Sequence, residues 1–333
     1  MIRVLVDARL AARGLGIATF VERLVGALSG DGSVEVRLWG EPGEWGTGSK
    51  VATLARSGLF DLSPRLDPRA RGYDVVHYAS NLGAVVPGRN SVVTVHDLMH
   101  RRPGTPRGNR IAGTVLERSL LRAGRVVVAS DRTRAEVEEV VPALAGRVEV
   151  VPHGIRTLAV RTGPRSHVLA FGGASDSRKR TDLMVAAYGE YRATTPEALP
   201  LVVLSRAGLT PAQRATLVVA GARVVPTATR DEVDDLMAGA AALLYPTLQE
   251  GHGLPILEAA EAGTPVVIDA AADVASEVVG RHCVLVRDTR LEAWAEALRS
   301  AVAGGPVENS LELPGWPAVA ARYRSLYGEV SRS

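Results

Sequence analysis

Residues 241–270 read AALLYPTLQEGHGLPILEAAEAGTPVVIDA, and this stretch decides the fold that the sequence predicts. The apolar run 242–245 indicates a buried strand, which stops at Pro246. Pro255 suits the first turn of a helix, because its missing N–H has no helical partner there. Gly263 suits the end of that helix. The segment therefore predicts a strand, a loop and a helix in succession.

The loop of this segment, residues 247–253, is the first candidate for a binding site. A second apolar run, 266–268, predicts another strand after the helix, so the whole is a β-α-β unit. Its loop then lies at the carboxyl end of a strand, where open α/β sheets bind ligands. Two carboxylates mark the site: Glu250 in the loop and Glu258 about one turn inside the helix.

A nucleotide sugar fits these residue types. The glycines Gly251 and Gly253 let backbone N–H groups approach a ligand, and the helix start favours a phosphate. One carboxylate can accept hydrogen bonds from sugar hydroxyls and the other from ribose hydroxyls, with the diphosphate between them. The alternative is that Glu258 and Glu261 are ordinary solvated helix positions.

The motif EGHGLPILEAAEAGTPV, residues 250–266, resembles the donor-site motif of the retaining GT-B glycosyltransferases, the family 4-like "glycosyl transferases group 1". That motif is approximately E-G-F-G-L-P-x-x-E-A-x-A-x-G-x-P-V, and His252 stands where the family usually has Phe. The resemblance implies an α/β GT-B fold, with two Rossmann-like domains whose parallel sheets face each other across a cleft. It places Glu250 on sugar hydroxyls and Glu258 on the ribose.

A second glycine loop, GGASDSRKR at 172–180, follows a predicted strand and precedes a predicted helix. Such a loop is an anion cradle. In the family it supplies an Arg and a Lys to the donor diphosphate. Lys179, one of only two lysines in the chain, matches that lysine, and Arg178 resembles the R-K-N variant with Arg180 replacing Asn. The alternative is a solvated charged patch. The donor-binding residues implied are Gly173, Arg178, Lys179, Glu250, Gly251, His252, Gly253, Leu254 and Glu258.

The N-terminus predicts the acceptor side. An apolar strand at 2–8 precedes a glycine turn at Gly14 and Gly16 and a helix with apolar residues at helical spacing. This order is similar to the V-D-x-R-x-x-x-x-G-I-G-R-Y opening of many GT-B enzymes, although a plain tight turn also explains the glycines. The resemblance makes Arg9, Gly14 and Gly16 acceptor-side candidates.

His96 and Asp97 end another predicted strand, 91–95, and are placed to meet a ligand. Histidine accepts or donates a proton near neutral pH. The family commonly has H-D-x here, close to the transferring sugar and acceptor, whereas the alternative is a structural histidine. The resemblance makes both residues acceptor-side candidates and gives a catalytic set of His96, Lys179 and Glu250.

The loop RRPGTPRGNR, residues 101–110, carries four arginines among glycines and prolines. One interpretation is a solvated, mobile loop. The other is an acceptor-side lid whose arginines contact an anionic acceptor or make peripheral contact with a membrane surface.

The polar, irregular stretch 156–166 marks the domain boundary. We expect an acceptor domain at 1–156, a donor domain at 157–315 and a final helix, 316–333, that crosses back to the first domain, as in the family fold. Further strands and helices are predicted from apolar runs and caps, among them a helix after the N-cap Ser130 and one after a capping box at 229–232.

Composition narrows the function class. The 46% apolar and 23% charged content is typical of a soluble globular protein, and no run of eighteen apolar residues or signal peptide is evident, so we expect a cytoplasmic protein. A net charge of +3 is too small to indicate nucleic acid. The single cysteine excludes an internal disulfide or a cysteine-cluster metal site.

The resemblance implies a retaining hexosyltransferase that uses a nucleotide-diphosphate sugar and a carbohydrate, lipid or small-molecule acceptor. No D-x-D motif is present, so we expect no metal and no cofactor. Two alternatives remain: a sugar-nucleotide epimerase or pseudo-glycosyltransferase of the same fold, and a non-catalytic GT-B partner subunit.

Overall fold

The computed structural model describes residues 1–7, 16–30, 32–39, 72–79, 88–101, 113–114, 117–155, 164–173, 177–205, 208–226, 228–248, 250, 252–272, 278–308 and 312–332. The chain divides into two compact units, Met1–Gly154 with Leu313–Ser333 and Ile155–Glu312. Each contains one six-stranded sheet whose strands all pair in parallel. The predicted α/β class is confirmed.

The helices and strands alternate along most of the chain. In chain order they are β1 Ile2–Asp7, α1 Gly16–Leu28, β2 Val34–Trp39, β3 Val75–Tyr78, β4 Ser91–Val95, β5 Arg125–Val128, α2 Asp131–Val140, β6 Val148–Val150, β7 His167–Phe171, α3 Thr181–Thr194, β8 Leu201–Leu204, α4 Pro211–Val219, β9 Arg223–Val225, α5 Arg230–Gly239, β10 Ala240–Tyr245, α6 Leu254–Ala262, β11 Val266–Asp269, β12 Cys283–Val286, α7 Leu291–Gly304 and α8 Trp316–Val330. No helix in these described ranges is long and apolar enough to cross a bilayer.

The first unit orders its strands β2-β1-β3-β4-β5-β6. Its core joins β1, α1 and α8, because apolar residues at helical spacing on both helices face the sheet: Phe20, Leu24 and Leu28 with Trp316, Val319, Tyr323, Leu326 and Tyr327. Gly16 is the first residue of α1 rather than part of the predicted turn. The sequence also predicts a strand at 73–78, but β3 begins at Val75.

Buried polar groups hold α8 to this sheet. His77 Nε2 and Thr94 Oγ1 are 2.8 Å apart, and the Tyr327 hydroxyl lies 2.8 Å from His77 Nδ1. Thr94 Oγ1 also lies 3.2 Å from the Tyr323 hydroxyl. Burial lowers the pKa of His77 to about 3, and the neighbouring His96 adds to that shift. The ring is therefore neutral over the physiological range.

The start of α8 packs directly against Gly154. A Cβ atom at Gly154 would lie 2.8 Å from the Cα of Trp316, which is closer than such atoms approach each other. Only glycine fits here without a shift of the backbone. The two segments of the first unit are thus in contact where each meets the second unit in sequence.

The second unit orders its strands β12-β11-β10-β7-β8-β9. From β7 the chain proceeds to β8 and β9 on one side, and then from β10 to β11 and β12 on the other. The order of the strands therefore reverses between β7 and β10, and ligands of open α/β sheets bind outside the carboxyl ends of strands at such a point. The predicted β-α-β unit β10-α6-β11 is confirmed.

Candidate functional site

The loops after β7 and β10 border the point of strand reversal in the second unit, and they carry Lys179 and Glu250. The two loops are in contact, since the N–H of Leu248 donates to the carbonyl oxygen of Arg178 at 3.3 Å. Arg178 and Lys179 lie in a short 3-10 turn and are half-buried. The structure therefore places the loop of Arg178 and Lys179 in contact with the loop that carries Glu250.

The aromatic rings of Phe171 and Tyr245 lie where these two loops begin, and we call this pair the floor of the candidate site. Phe171 ends β7 and Tyr245 ends β10, and their ring centroids are 6.0 Å apart in an edge-to-face arrangement. The Lys179 Nζ atom lies 5.9 Å from the centroid of Phe171, within the range of a cation–π contact. The ammonium of Lys179 is thereby held at the carboxyl edge of the sheet.

Glu250 is anchored from the same floor. The Tyr245 hydroxyl donates a hydrogen bond to Glu250 Oε1, and the Thr247 hydroxyl lies 3.3 Å from the same atom. Both contacts order one oxygen of a half-buried carboxylate. An ionised carboxylate only accepts hydrogen bonds, so this group suits a ligand that presents hydroxyl groups.

Arg180 supports the Lys179 loop. Its backbone has φ 45°, the left-handed region, and it is the only non-glycine residue with positive φ in the described part of the chain. Its Nη1 atom donates to Asp269 Oδ2 at 2.7 Å, at the end of β11. Asp269 Oδ1 in turn accepts from the N–H of Ala271 at 2.8 Å. A side-chain ion pair thus holds a strained residue beside the candidate site.

The predicted glycines have different roles. The N–H of Gly173 donates to Thr181 Oγ1 at 3.1 Å, so this amide is already bonded within the protein. Gly253 has φ 77° and precedes α6, whose first residue is Leu254. His252, where the family usually has Phe, is 5% exposed. Gly251 lies outside the described residues.

Both acidic residues of α6 are buried, with Glu258 6% and Glu261 3% exposed. The alternative that they are solvated helix positions is wrong. Glu258 Oε1 accepts from Arg230 Nη1 at 2.7 Å, and Arg230 also donates from Nε to Asp234 Oδ1 at 3.0 Å. Burial lowers the pKa of Arg230, but the charges and hydrogen bonds of Glu258 and Asp234 outweigh it and raise that pKa overall.

In the first unit, His96 follows β4 and is half-buried. Its Nε2 atom lies 3.0 Å from the carbonyl oxygen of Ala79, which can only accept, so Nε2 carries the hydrogen. The Phe20 ring packs against it with centroids 5.1 Å apart. Burial lowers the pKa of His96, opposed by the hydrogen bond to Ala79 and the charge of Asp97. The neutral imidazole is therefore the main form at neutral pH.

Three predictions on the acceptor side fall wholly or largely outside the described residues: Arg9, Gly14 and the loop 101–110, apart from Arg101. Arg101 is engaged within the protein, because its Nε donates to Glu117 Oε1 at 2.7 Å and Glu117 is 3% exposed. His100 lies 2.6 Å from the same oxygen. This first arginine of the loop therefore anchors its start to a buried carboxylate.

The described ranges contain no group of three or more His, Cys, Asp or Glu side chains that could hold a metal ion. Arg178 and Lys179 carry a charge that can pair with an anion, and ionised Glu250 or Glu258 can accept hydrogen bonds from hydroxyl groups.

Comparison with known families assigns both halves of the chain. Residues 165–303 match the family model "Glycosyl transferases group 1", and residues 15–157 match "Glycosyltransferase Family 4". Between them the two matches cover most of the chain. The chain belongs to the group 1 glycosyltransferases. This family assignment indicates transfer of a sugar from a nucleotide-sugar donor.

Individual proteins agree with the group 1 assignment. A D-inositol 3-phosphate glycosyltransferase of Nocardioides sp. is 30% identical over 69% of this chain and 60% of its own length, and one of Streptosporangium roseum is 26% identical over 77% and 69%. The chain thus spans about two thirds of these relatives. The crystal structure of WaaG, a glycosyltransferase involved in lipopolysaccharide biosynthesis, superposes with a TM-score of 0.65 at 18% identity, covering 99% of this chain and 98% of that one. The GT-B fold class is confirmed.

Sequence reasoning missed several residues of this candidate site. Tyr245 was assigned only to a buried strand, Arg230 only to a capping box, and Asp269 to no role. Each acts through a side-chain contact with a residue in another segment or loop. One sequence signal of the left-handed backbone at position 180 was available. Arg180 stands where the family variant R-K-N has an Asn, and Asn tolerates the left-handed region.

Proposed function

We propose that the protein transfers a hexosyl group from a nucleoside-diphosphate sugar to an acceptor hydroxyl, with retention of the anomeric configuration. The observation that carries this proposal is the contact between the loops of Lys179 and Glu250 at the strand reversal of the second unit, over the Phe171–Tyr245 floor. A cation and a carboxylate on two loops in contact suit a diphosphate joined to a polyhydroxylated ring.

Each end of the donor has a partner in this scheme. Lys179 and Arg178 bind the diphosphate, with the N-terminus of α6 adding its dipole. Glu250, ordered by Tyr245, accepts hydrogen bonds from sugar hydroxyls, and Glu258 accepts from the ribose. No cofactor or metal is assigned a role in this scheme.

Catalysis then consists mainly of stabilising the leaving group. As the anomeric bond breaks, negative charge grows on the diphosphate and the sugar becomes oxocarbenium-like. Fixed cations that face this charge lower the barrier. The acceptor hydroxyl attacks from the face that the diphosphate leaves, which retains the configuration, and its proton passes to the departing phosphate oxygen. His96, whose lowered pKa makes its imidazole a weak base, orients the acceptor rather than removing its proton.

A thermal-shift panel of UDP-, GDP-, ADP- and dTDP-sugars tests donor binding, because a ligand that binds the folded state raises the unfolding temperature. The bound donor is then incubated with candidate acceptors, beginning with D-inositol 3-phosphate, which the names of two relatives specify. Transfer predicts that nucleoside diphosphate appears only when acceptor is present, and that the product keeps the donor's anomeric configuration by NMR.

The alternatives give different results. An epimerase yields an isomerised sugar nucleotide without acceptor. A non-catalytic subunit that has lost the donor site binds no nucleotide sugar. Acceptor-dependent product with inverted configuration would contradict retention while leaving transfer intact.

A further inference from the structure

Arg230 links α5 to α6 through a buried carboxylate. It is the first residue of α5, and its Nη1 donates to Glu258 Oε1 at 2.7 Å. The Glu258 side chain is only 8% exposed, against 23% for Arg230. On its other side, the guanidinium donates from Nε and Nη2 to Asp234 Oδ1. Three side chains therefore fix one another's orientation.

The cluster of Arg230, Asp234 and Glu258 lies near the carboxyl edge of the sheet in the second unit, the edge at which open α/β sheets bind ligands. α5 begins after the carboxyl end of β9, and α6 begins after the carboxyl end of β10. Arg230 is the first residue of α5, at the end of that helix that faces this edge, and it reaches Glu258, the fifth of the nine residues of α6. The sheet reversal between β7 and β10 lies at the same edge.

We propose that Arg230 is a positioning residue that holds the Glu258 carboxylate in the orientation that receives the ribose hydroxyls of the donor. This inference rests on the proposed function, which assigns the ribose to Glu258. A buried carboxylate is costly unless it is paired, and the guanidinium both neutralises it and fixes one of its oxygens. The carboxylate is thereby ordered before the ligand arrives, which reduces the entropy lost on binding.

Arginine suits this role better than lysine. Its planar fork bonds Asp234 on one side and Glu258 on another at fixed angles, whereas an ammonium is a point charge on a flexible stem. Arg230→Lys therefore keeps the charge that the buried Glu258 needs for folding but loosens its orientation. It is a better test than removal of the charge, which could prevent folding.

The experiment compares two ligands that differ only at the ribose. Calorimetry measures the affinity of wild type for a nucleoside diphosphate and for its 2′,3′-dideoxy analogue, with the base chosen from the donor panel. We expect wild type to prefer the ribonucleotide by about tenfold or more, since a hydrogen bond to a charged group is lost in the analogue. Arg230→Lys and Glu258→Gln should each reduce that ratio at least threefold or so, and Arg230→Lys should add little in the Glu258→Gln background.

Controls separate positioning from packing. Inorganic pyrophosphate lacks the ribose, so its affinity should be the same in wild type and Arg230→Lys. Arg132 in the first unit also pairs with an acidic residue four positions on, Glu136. Arg132→Lys should leave the ratio of the two nucleotide affinities unchanged.

The outcomes are distinct. If Arg230→Lys lowers the unfolding temperature but keeps the wild-type ratio, Arg230 has only a structural role and the inference is wrong. If wild type binds the nucleotide without preferring the ribonucleotide, Glu258 does not bind ribose and the inference is overturned while donor binding stands. If wild type binds no nucleoside diphosphate, the proposed function fails as well.

Discussion

The hydroxyl of Tyr245 donates a hydrogen bond to the carboxylate of Glu250, five residues further along the chain. One residue ends a central strand and the other lies in the loop that follows it. The hydrogen bond from Tyr245 in the sheet thereby fixes the position of the Glu250 carboxylate, although Glu250 itself lies in a loop.

Removal of this hydroxyl should therefore impair turnover. We expect Tyr245→Phe to lower kcat/KM about tenfold to a hundredfold, because a hydrogen bond to a charged group contributes about 1.5–3 kcal/mol. Steady-state kinetics with the donor that the thermal-shift panel selects measures the change. Tyr188→Phe is a matched control, since Tyr188 donates to the carbonyl oxygen of Leu199 in the same unit. Equal activities for the two variants would contradict an ordering role of Tyr245.

Replacement of the loop cation should have a larger effect. We expect Lys179→Met to reduce kcat by roughly a hundredfold or more, as the loss of one contact to transition-state charge does. Arg214→Met removes the same charge from the exposed surface of α4 and should act like wild type. A Lys179→Met enzyme with near-normal kcat would show that the diphosphate binds elsewhere.

The strain at Arg180 can be measured separately from its ion pair. Arg180→Ala and Arg180→Gly both remove the contact with Asp269, but only glycine adopts the left-handed region freely. An L-residue there costs about 1–2 kcal/mol, partly offset by the greater entropy of glycine in the unfolded chain. We therefore expect the Gly variant to be more stable by about 0.5–1 kcal/mol in urea denaturation. A more stable Ala variant would mean that this loop relaxes to another backbone conformation.

The first unit should lose stability in mild acid. Burial lowers the pKa of His77 to about 3, whereas a histidine in an unfolded chain has its ordinary pKa of 6.5. Between these values the unfolded state binds a proton that the folded state does not, so stability falls as pH falls, by about 1.4 kcal/mol per pH unit.

His77→Gln tests this, because it removes the titrating group while keeping a polar side chain beside Thr94 and Tyr327. Urea denaturation at several pH values from about 6.5 to about 4 should give a shallower pH dependence for the variant than for wild type. Identical slopes would show that His77 takes up a proton over this pH range in the folded protein as it does in the unfolded chain. His282, whose pKa burial lowers to about 4, should contribute in the same direction in both proteins.

Local signals made the fold predictable. Pro255 and Gly263 mark the two ends of α6. Pro255 lacks an N–H that the first turn does not need, and Gly263 adopts φ 65° at the helix end. The capping boxes and apolar runs act over similar distances, so the order of strands and helices follows from neighbouring residues alone. Only bounds such as the start of β3 depended on pairing with another strand.

The contacts of the candidate site were not predictable in this way. Glu258 and Arg230 are 28 positions apart, and nothing in either segment indicates that they meet. Arg180 and Asp269 are 89 apart. Such pairs depend on which strands are neighbours and on side-chain rotamers, neither of which a single sequence encodes as a local pattern. The family resemblance predicts which residues approach a ligand but not which residues hold them.

The place of α8 in the core of the first unit has a consequence for biosynthesis. Trp316, Tyr323 and Tyr327 complete a core whose other members, such as Val4 and Phe20, leave the ribosome some three hundred residues earlier. The apolar residues of the N-terminal segment that α8 covers in the folded protein therefore stay uncovered while the second unit is synthesised. The residues of the second unit are contiguous, so it can fold in that time. The first unit, although its N-terminal segment is synthesised first, therefore completes its core only after the second unit has been synthesised.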